Sequence, residues 1–444
     1  MAPAVEAAAA ATERAFESMK HRHHDDSETK PRPQTRPSAT DALNALTASA
    51  MALPGLTGLA GSASADGPVE ETTIDKEYSY YREDKLEPRK TVQPNERERM
   101  EIHSYQFRVT TPLTERSDLD IAGTLETLSG ASPWFVLPDL AGDRDGRPVQ
   151  VMSGATIDED RGDLLVAGNY FFDQGKVSGS GGFSIENDYY SVNFGLGADR
   201  SLADKNTTLS IGVSTSLDWI EPTDCKDFNR VCSEDKQSVN VYAGISQILT
   251  RHSAIQSTVS FGYTTGFLSD PYKLAYIEDV GSAVSDSRPD DRKQFTWLTK
   301  YRHHVSGFNG TFHFDYKLYA DDWEVNSHTF DLSWHQSLPW GFQLVPSFRY
   351  YSQSQAEFFE NYYATARSDG LASSDYRLSP YGAITYGLKA SWAYEDLIAT
   401  SDWQLALSYE RYESSAGKAF QRVDVENPGL VNFRVFAVRA TVSF

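Results

Sequence analysis

The stretch from Asn309 to Ser352, NGTFHFDYKLYADDWEVNSHTFDLSWHQSLPWGFQLVPSFRYYS, decides the fold. Phe312, Phe314, Tyr316 and Leu318 alternate with Thr311, His313, Asp315 and Lys317. After DDWEVN the alternation resumes, with Phe330, Leu332 and Trp334 set against Thr329, Asp331, Ser333 and His335. Beyond LPWG, Phe342, Leu344, Phe348 and Tyr350 oppose Gln343, Ser347 and Arg349. In a strand, successive side chains point to opposite faces, so each run has one apolar and one polar face.

The same texture runs outward in both directions. In TLSIGVSTSLDW, Leu209, Ile211, Val213, Leu217 and Trp219 oppose Ser210, Gly212, Ser214, Ser216 and Asp218. In SDWQLALSYE, Trp403, Leu405, Leu407 and Tyr409 oppose Asp402, Gln404, Ala406 and Glu410. About sixteen strands are expected, near 72–83, 100–113, 117–128, 161–172, 176–188, 189–201, 207–219, 237–249, 253–267, 293–304, 310–322, 327–337, 341–353, 376–391, 401–412 and 432–444. Strands of this length exceed the usual five or six residues of globular sheets and match a tilted membrane crossing of roughly nine to eleven. Connections are of two kinds: tight at Asn309-Gly310 and Leu338-Pro339, long and mostly acidic at 129–160, 220–236, 268–292 and 354–375. The fold class expected is all-β: a transmembrane up-and-down antiparallel β-barrel with short turns at one end and long loops at the other. Aromatic groups at strand ends (Tyr80, Tyr81, Tyr170 to Phe172, Tyr189, Tyr190, Trp219, Tyr350, Tyr351) suit the headgroup level.

Composition agrees. A net charge of −21 argues against nucleic acid, whose phosphates require clustered Lys and Arg. Twenty-four Tyr, 23 Phe and 8 Trp are unusual for an acidic soluble globule. No apolar run after residue 66 approaches the roughly 18–20 residues of a spanning helix. Residues 1–65 read as a leader with a secretory signal peptide, its apolar core at 42–60 preceded by Lys30, Arg32 and Arg36 and followed by Ala63-Ser64-Ala65. Cleavage is expected after Ala65, leaving 66–444 as the barrel, and HRHH at 21–24 falls in the removed segment. Cys225 and Cys232, in a polar loop, suit a disulfide staple in an oxidising compartment better than a redox pair or half a metal site.

Charged groups must face the lumen, because an ionised side chain near midplane on the lipid face costs about 2–4 kcal/mol. The lumenal candidates are His313, Asp315, Lys317, Asp331, His335 and Arg349. His313, Asp315, Asp331 and His335 lie on facing strands and could form a proton-transfer or metal cluster. A hydrogen-bonded polar ladder is the favoured reading, since neither HExxH spacing nor a GxSxG elbow occurs. The chain is thus read as a non-enzyme without a cofactor. Asp321 and Asp322 are secondary calcium candidates; like Asp270 and the acidic stretch 285–291, they read more readily as solvated loop charges. In the last run, Phe436, Val438, Ala440, Val442 and Phe444 oppose Arg439, Thr441 and Ser443, so it should pair with the first strand.

Several longer stretches carry more than periodicity: SGASPWFVLPDLAG, GRPVQVMSGATIDEDR, SIENDYYSVNFGLG, TGFLSDPYK, TKYRHHV, DYKLYADDWEVNSHTFDLSW, RYYSQSQAEFF and SSDYRLSPYGAITYGLK. With these the chain resembles the proteobacterial domain-of-unknown-function family 3570 over nearly all of 66–444. The resemblance implies an outer-membrane barrel of a Gram-negative bacterium, with gene neighbours of thioredoxin-like and flavin-transferase type; it implies no catalytic residue. The partners expected are outer-membrane lipid and the barrel assembly machinery, for which Phe444 resembles the recognition signal, together with periplasmic redox proteins. The function expected is a porin-like channel for small hydrophilic solutes or cations. The alternative is a non-conducting barrel serving as sheath or docking scaffold for flavin- or thioredoxin-like envelope partners.

Overall fold

The computed structural model describes residues 67–93, 97–139, 142, 145–153, 157–203, 205–228, 230–398 and 401–444. The expected leader, its cleavage point after Ala65 and the HRHH cluster lie outside the described residues.

The first half of the barrel wall is β1 (Thr73–Glu83), β2 (Glu101–Thr114), β3 (Ser117–Gly130), β6 (Ile157–Phe172), β7 (Gly175–Ile185), β8 (Tyr189–Leu202), β9 (Thr207–Ile220) and β10 (Glu234–Thr250). It continues through β11 (Ser253–Gly266), β14 (Asp291–Val305), β15 (Gly310–Asp321), β16 (Asn326–Ser337), β17 (Phe342–Gln353), β18 (Tyr381–Ile398), β19 (Ser401–Ser415) and β20 (Asn432–Ser443). Two small hairpins, β4 (Pro133–Leu137) with β5 (Val149–Met152) and β12 (Leu274–Ile277) with β13 (Ser282–Ser285), sit inside loops. The sixteen wall strands close in chain order, every neighbour antiparallel. Closure pairs Thr73 with Ser443 through to Glu83 with Phe433, so neither terminal strand is left as an open edge.

All sixteen expected strands are present. One begins late: 376–380 are not strand, because Asp375 accepts from the Arg377 amide to cap a short 3₁₀ turn at Tyr376–Leu378 and Pro380 follows. Tight turns cluster at one end. At 338–341 the chain reverses through Trp340 and Gly341, both at positive φ (62° and 77°). A Cβ on Gly341 would run into the Ala393 carbonyl, so glycine is needed there twice over.

The two faces separate as the alternation requires. Leu196, Ile211, Phe261 and Leu407 are 53–65% exposed on the outer face, part of an apolar belt that water would not tolerate but hydrocarbon does. The aromatic pairs at strand ends correct the sequence reading. Adjacent residues cannot both face lipid, so Tyr80 and Tyr350 stay on the outer face while Tyr81 turns inward and is buried, and Tyr351 turns inward with it. The buried apolar groups gather at the long-loop end rather than along the wall. One cluster joins Tyr81, Met100, Ile102, Leu128, Tyr376, Val431 and Phe433; another joins Trp323, Val325, Ala356, Phe358, Phe359 and Leu378.

Candidate functional site

The inner wall is largely polar, and several of its charged groups are paired across neighbouring strands. Arg302 on β14 makes a two-pronged contact with Asp315 on β15, which occupies the carboxylate the sequence placed beside His313. On β16 and β17, Arg349 donates from Nε to Asp331 at 2.5 Å, and across the closure Arg439 donates from Nε to Glu77 at 2.5 Å. His313 and His335 do meet, but face to face, with ring centroids 3.9 Å apart. His335 Nε2 lies 3.2 Å from Ser333 Oγ, and both nearby carboxylates are held by arginines. This is a stiff polar ladder. Lys317 lies on the same inner face, paired in register with Leu298 and Thr329. Beside the ladder, Glu77, Ser333, Ser347, Lys389, Ser408 and Arg439 line a lumenal hollow of about 290 Å³. Around β7 to β10 the inner face changes character, to small groups such as Ser180, Asn193, Gly195, Ser214 and Asn240.

The long loops interlock over one end. Loops 131–156, 267–290 and 354–380 are rooted six, four and six strands apart around the sixteen-strand ring, yet they bond to one another. Lys273 Nζ donates to the Pro133 carbonyl at 2.9 Å, and Ser287 and Ala372 exchange backbone hydrogen bonds. Asn427, from a fourth loop, donates to Asn361 at 2.8 Å and to the Ser374 carbonyl at 3.3 Å. Segments with roots so far apart can meet only by crossing the mouth, so they form a cap. At its centre Arg288 contacts Asp286 (2.7 Å) and Asp375 (2.9 Å), while Arg377 contacts Asp270 (2.9 Å) and Asp375. Burial opposes the Asp375 charge, but Arg377, Lys273 and Arg288 outweigh it and hold the carboxyl well below the usual range. A second fully buried pair, Arg99 with Glu83 at 2.5 Å, ties the first loop to the wall.

These contacts correct the reading of Asp270, Asp286 and Asp321 as solvated loop charges, whereas Asp290 in the 285–291 stretch is exposed as expected. Asp321 accepts from Arg292, from the Tyr319 hydroxyl and from the Trp323 and Val325 amides, a set that leaves it no room to serve as a calcium ligand. Asp322 accepts from the Lys293 amide at 2.9 Å. Cys225 and Cys232 are joined as a disulfide, with Cα atoms 5.1 Å apart. The Phe444 amide and carbonyl pair with Thr72.

Sequence reasoning missed the group formed by Glu159, Glu186 and Asp188, all buried, with one ligand atom of each lying within 4.8 Å of the others. Among the described residues, these are the side chains that could hold a metal ion. Arg161 approaches Glu186 at 3.5 Å, and the Tyr272 hydroxyl donates to Asp188. Burial pushes the Glu186 carboxyl up to about 8, against the pull of Arg161. The only local signal was the acid-rich IEND segment, which the sequence reading placed at the end of the strand 176–188 and whose residues 186–188 turn between β7 and β8.

A family model described as "Protein of unknown function (DUF3570)" matches residues 43–431. The chain belongs to this family. No curated protein matches it. Among solved structures, the DUF3570 chain is similar to one titled "Bacterial polysaccharide outer membrane secretin", at 8% identity and TM-score 0.42, covering 86% of this chain and 100% of that one. It is also similar to OccD3 (OpdP) of Pseudomonas aeruginosa, at 12% identity, TM-score 0.41 and coverage of 93% and 99%. A third is titled "CymD monoaromatic hydrocarbon channel", at 11% identity, TM-score 0.40 and coverage of 89% and 94%.

Proposed function

We propose that this DUF3570 barrel sits in the outer membrane of a Gram-negative bacterium and gives small hydrophilic solutes a porin-like path whose outer mouth is narrowed by the loop cap. The observation that carries this reading is the polar inner wall with its cross-strand ion pairs and open hollow, opposite an apolar outer belt. A sixteen-strand closure is wide enough for an aqueous lumen. The acidic excess of residues 66–444, 55 Asp and Glu against 35 Lys and Arg, favours cations near its mouths. Planar-bilayer recording under a salt gradient tests the reading. Unit steps with a cation-selective reversal potential are expected, made more cation-selective by Lys389→Glu in the hollow. A pore indifferent to Lys389→Glu would contradict the lumenal path.

The interlocked cap favours a second reading, a non-conducting sheath or docking scaffold for periplasmic or envelope redox partners. It predicts no steps above background and stable co-purification with a flavin- or thioredoxin-like protein from native membranes.

A further inference from the structure

Two places on the outer face repeat one arrangement. On the hairpin β1–β2, the Tyr78 hydroxyl and His103 Nδ1 are hydrogen-bonded at 2.8 Å, with ring centroids 6.1 Å apart and planes 24° from parallel. On β15–β16, the Tyr316 hydroxyl and His328 Nδ1 are bonded at 2.9 Å, with the same 6.1 Å and 24°. In each case the tyrosine also packs on an aromatic ring two residues beyond the histidine: Tyr105 at 5.2 Å and Phe330 at 5.0 Å. Each tyrosine lies five residues before its strand ends at the cap, and each histidine is the third residue of the strand leading away. The surrounding sequences match as well, EYSYYRE (77–83) against DYKLYAD (315–321). On the inner face the likeness continues, with Tyr81 donating to Glu83 and Tyr319 to Asp321.

The two dyads therefore stand at one depth, just inside the strand ends, ten strands apart one way around the ring and six the other. Tyrosine and histidine rings just inside the strand ends of a membrane barrel suit the boundary between acyl chains and headgroups. The 2.8 and 2.9 Å contacts fit a tyrosine hydroxyl donating to Nδ1, an arrangement that leaves the imidazole proton on Nε2, and that tautomer is part of the proposal. Among the described residues, no protein group is bonded to Nε2 of either histidine. A donor facing lipid without an acceptor is costly, and beyond Glu101, which is held by Arg82, and Asn326, the acceptors near this level belong to lipid headgroups. A phosphate oxygen is the strongest of these, because a charged acceptor about doubles the strength of the bond.

We infer that the Tyr78–His103 and Tyr316–His328 dyads are two matched sites for the phosphate of a membrane lipid in the leaflet next to the cap, each donating from histidine Nε2. The inference is independent of whether the lumen conducts. The test titrates the purified full-length barrel in mild detergent with lipid A, phosphates intact or removed, and follows it by native mass spectrometry and by ¹⁵N spectra of the histidines. Two intact lipids per barrel are expected, falling to one in His103→Phe or His328→Phe and to none in the double variant. Removing the lipid phosphates should weaken binding about tenfold, the loss of roughly one hydrogen bond, and replacing both tyrosines by Phe should weaken it by less, because it frees the imidazole rather than removing the lipid's donor. The Tyr→Phe pair keeps every ring in place, so it also serves if the double histidine variant fails to assemble. Equal binding of the dephosphorylated lipid would overturn the inference and assign the donors to ester carbonyls. Unchanged binding in the Tyr→Phe pair, a proton on Nδ1 instead of Nε2, or an equal response to inorganic phosphate alone would each overturn it too.

Discussion

Asp375 is where the cap is most exposed to a single change. Its side chain is fully buried, caps the Tyr376–Leu378 turn and contacts both Arg288 and Arg377. Because its folded-state carboxyl is held below the unfolded value of about 3.9, its contribution is fully present above that pH and is lost only as pH falls through the lower folded value. Asp375→Asn leaves two buried arginines short of a partner and should cost about 3–5 kcal/mol, read as faster proteolysis of 354–380 and a lower urea midpoint. Glu186 behaves oppositely. Its folded-state carboxyl is raised from 4.5 to about 8, so the stability it gives as the neutral acid is full below about 4.5 and lost as pH rises through about 8. Thermal stability should thus fall as pH rises from about 4.5 to about 8, and Glu186→Gln should flatten that slope; an unchanged slope would place the titrating group elsewhere.

The strand is the scale at which most of the fold was legible. Period-two alternation is local, so the faces of β15, β16, β17, β19 and β20 could be assigned residue by residue. It follows that neighbours in β19 should respond very differently to the same charge. Leu407→Arg on the outer face should destabilise by about 2–4 kcal/mol in urea-driven refolding into vesicles, whereas Ser408→Arg on the lumenal face should cost far less. Equal costs would mean the faces are misassigned. The loops were not legible in this way. Arg288 meets Asp375 across 87 residues and Arg377 meets Asp270 across 107, contacts that no window of sequence displays. Acidic stretches that look solvated on paper become buried once a distant arginine arrives. The same limit hid Glu159 from Glu186 and Asp188, and made YRLSP look like the start of a strand.

Taken whole, the molecule has its stiffest packing where a simple pore would be open. The wall is a closed cylinder with a polar interior, and most of the buried apolar groups, together with the Arg99–Glu83 pair and the Asp375 network, sit at the cap end. A cap roofed over a hydrophilic lumen should control passage more than the wall does. Planar-bilayer unit conductance in a fixed salt, compared between the full-length barrel and a variant with residues 357–372 replaced by a short Gly-Ser linker, tests this most directly. The account predicts small steps for the full-length barrel and severalfold larger ones once the loop is shortened. Identical conductance in the two, or none in either, would contradict it.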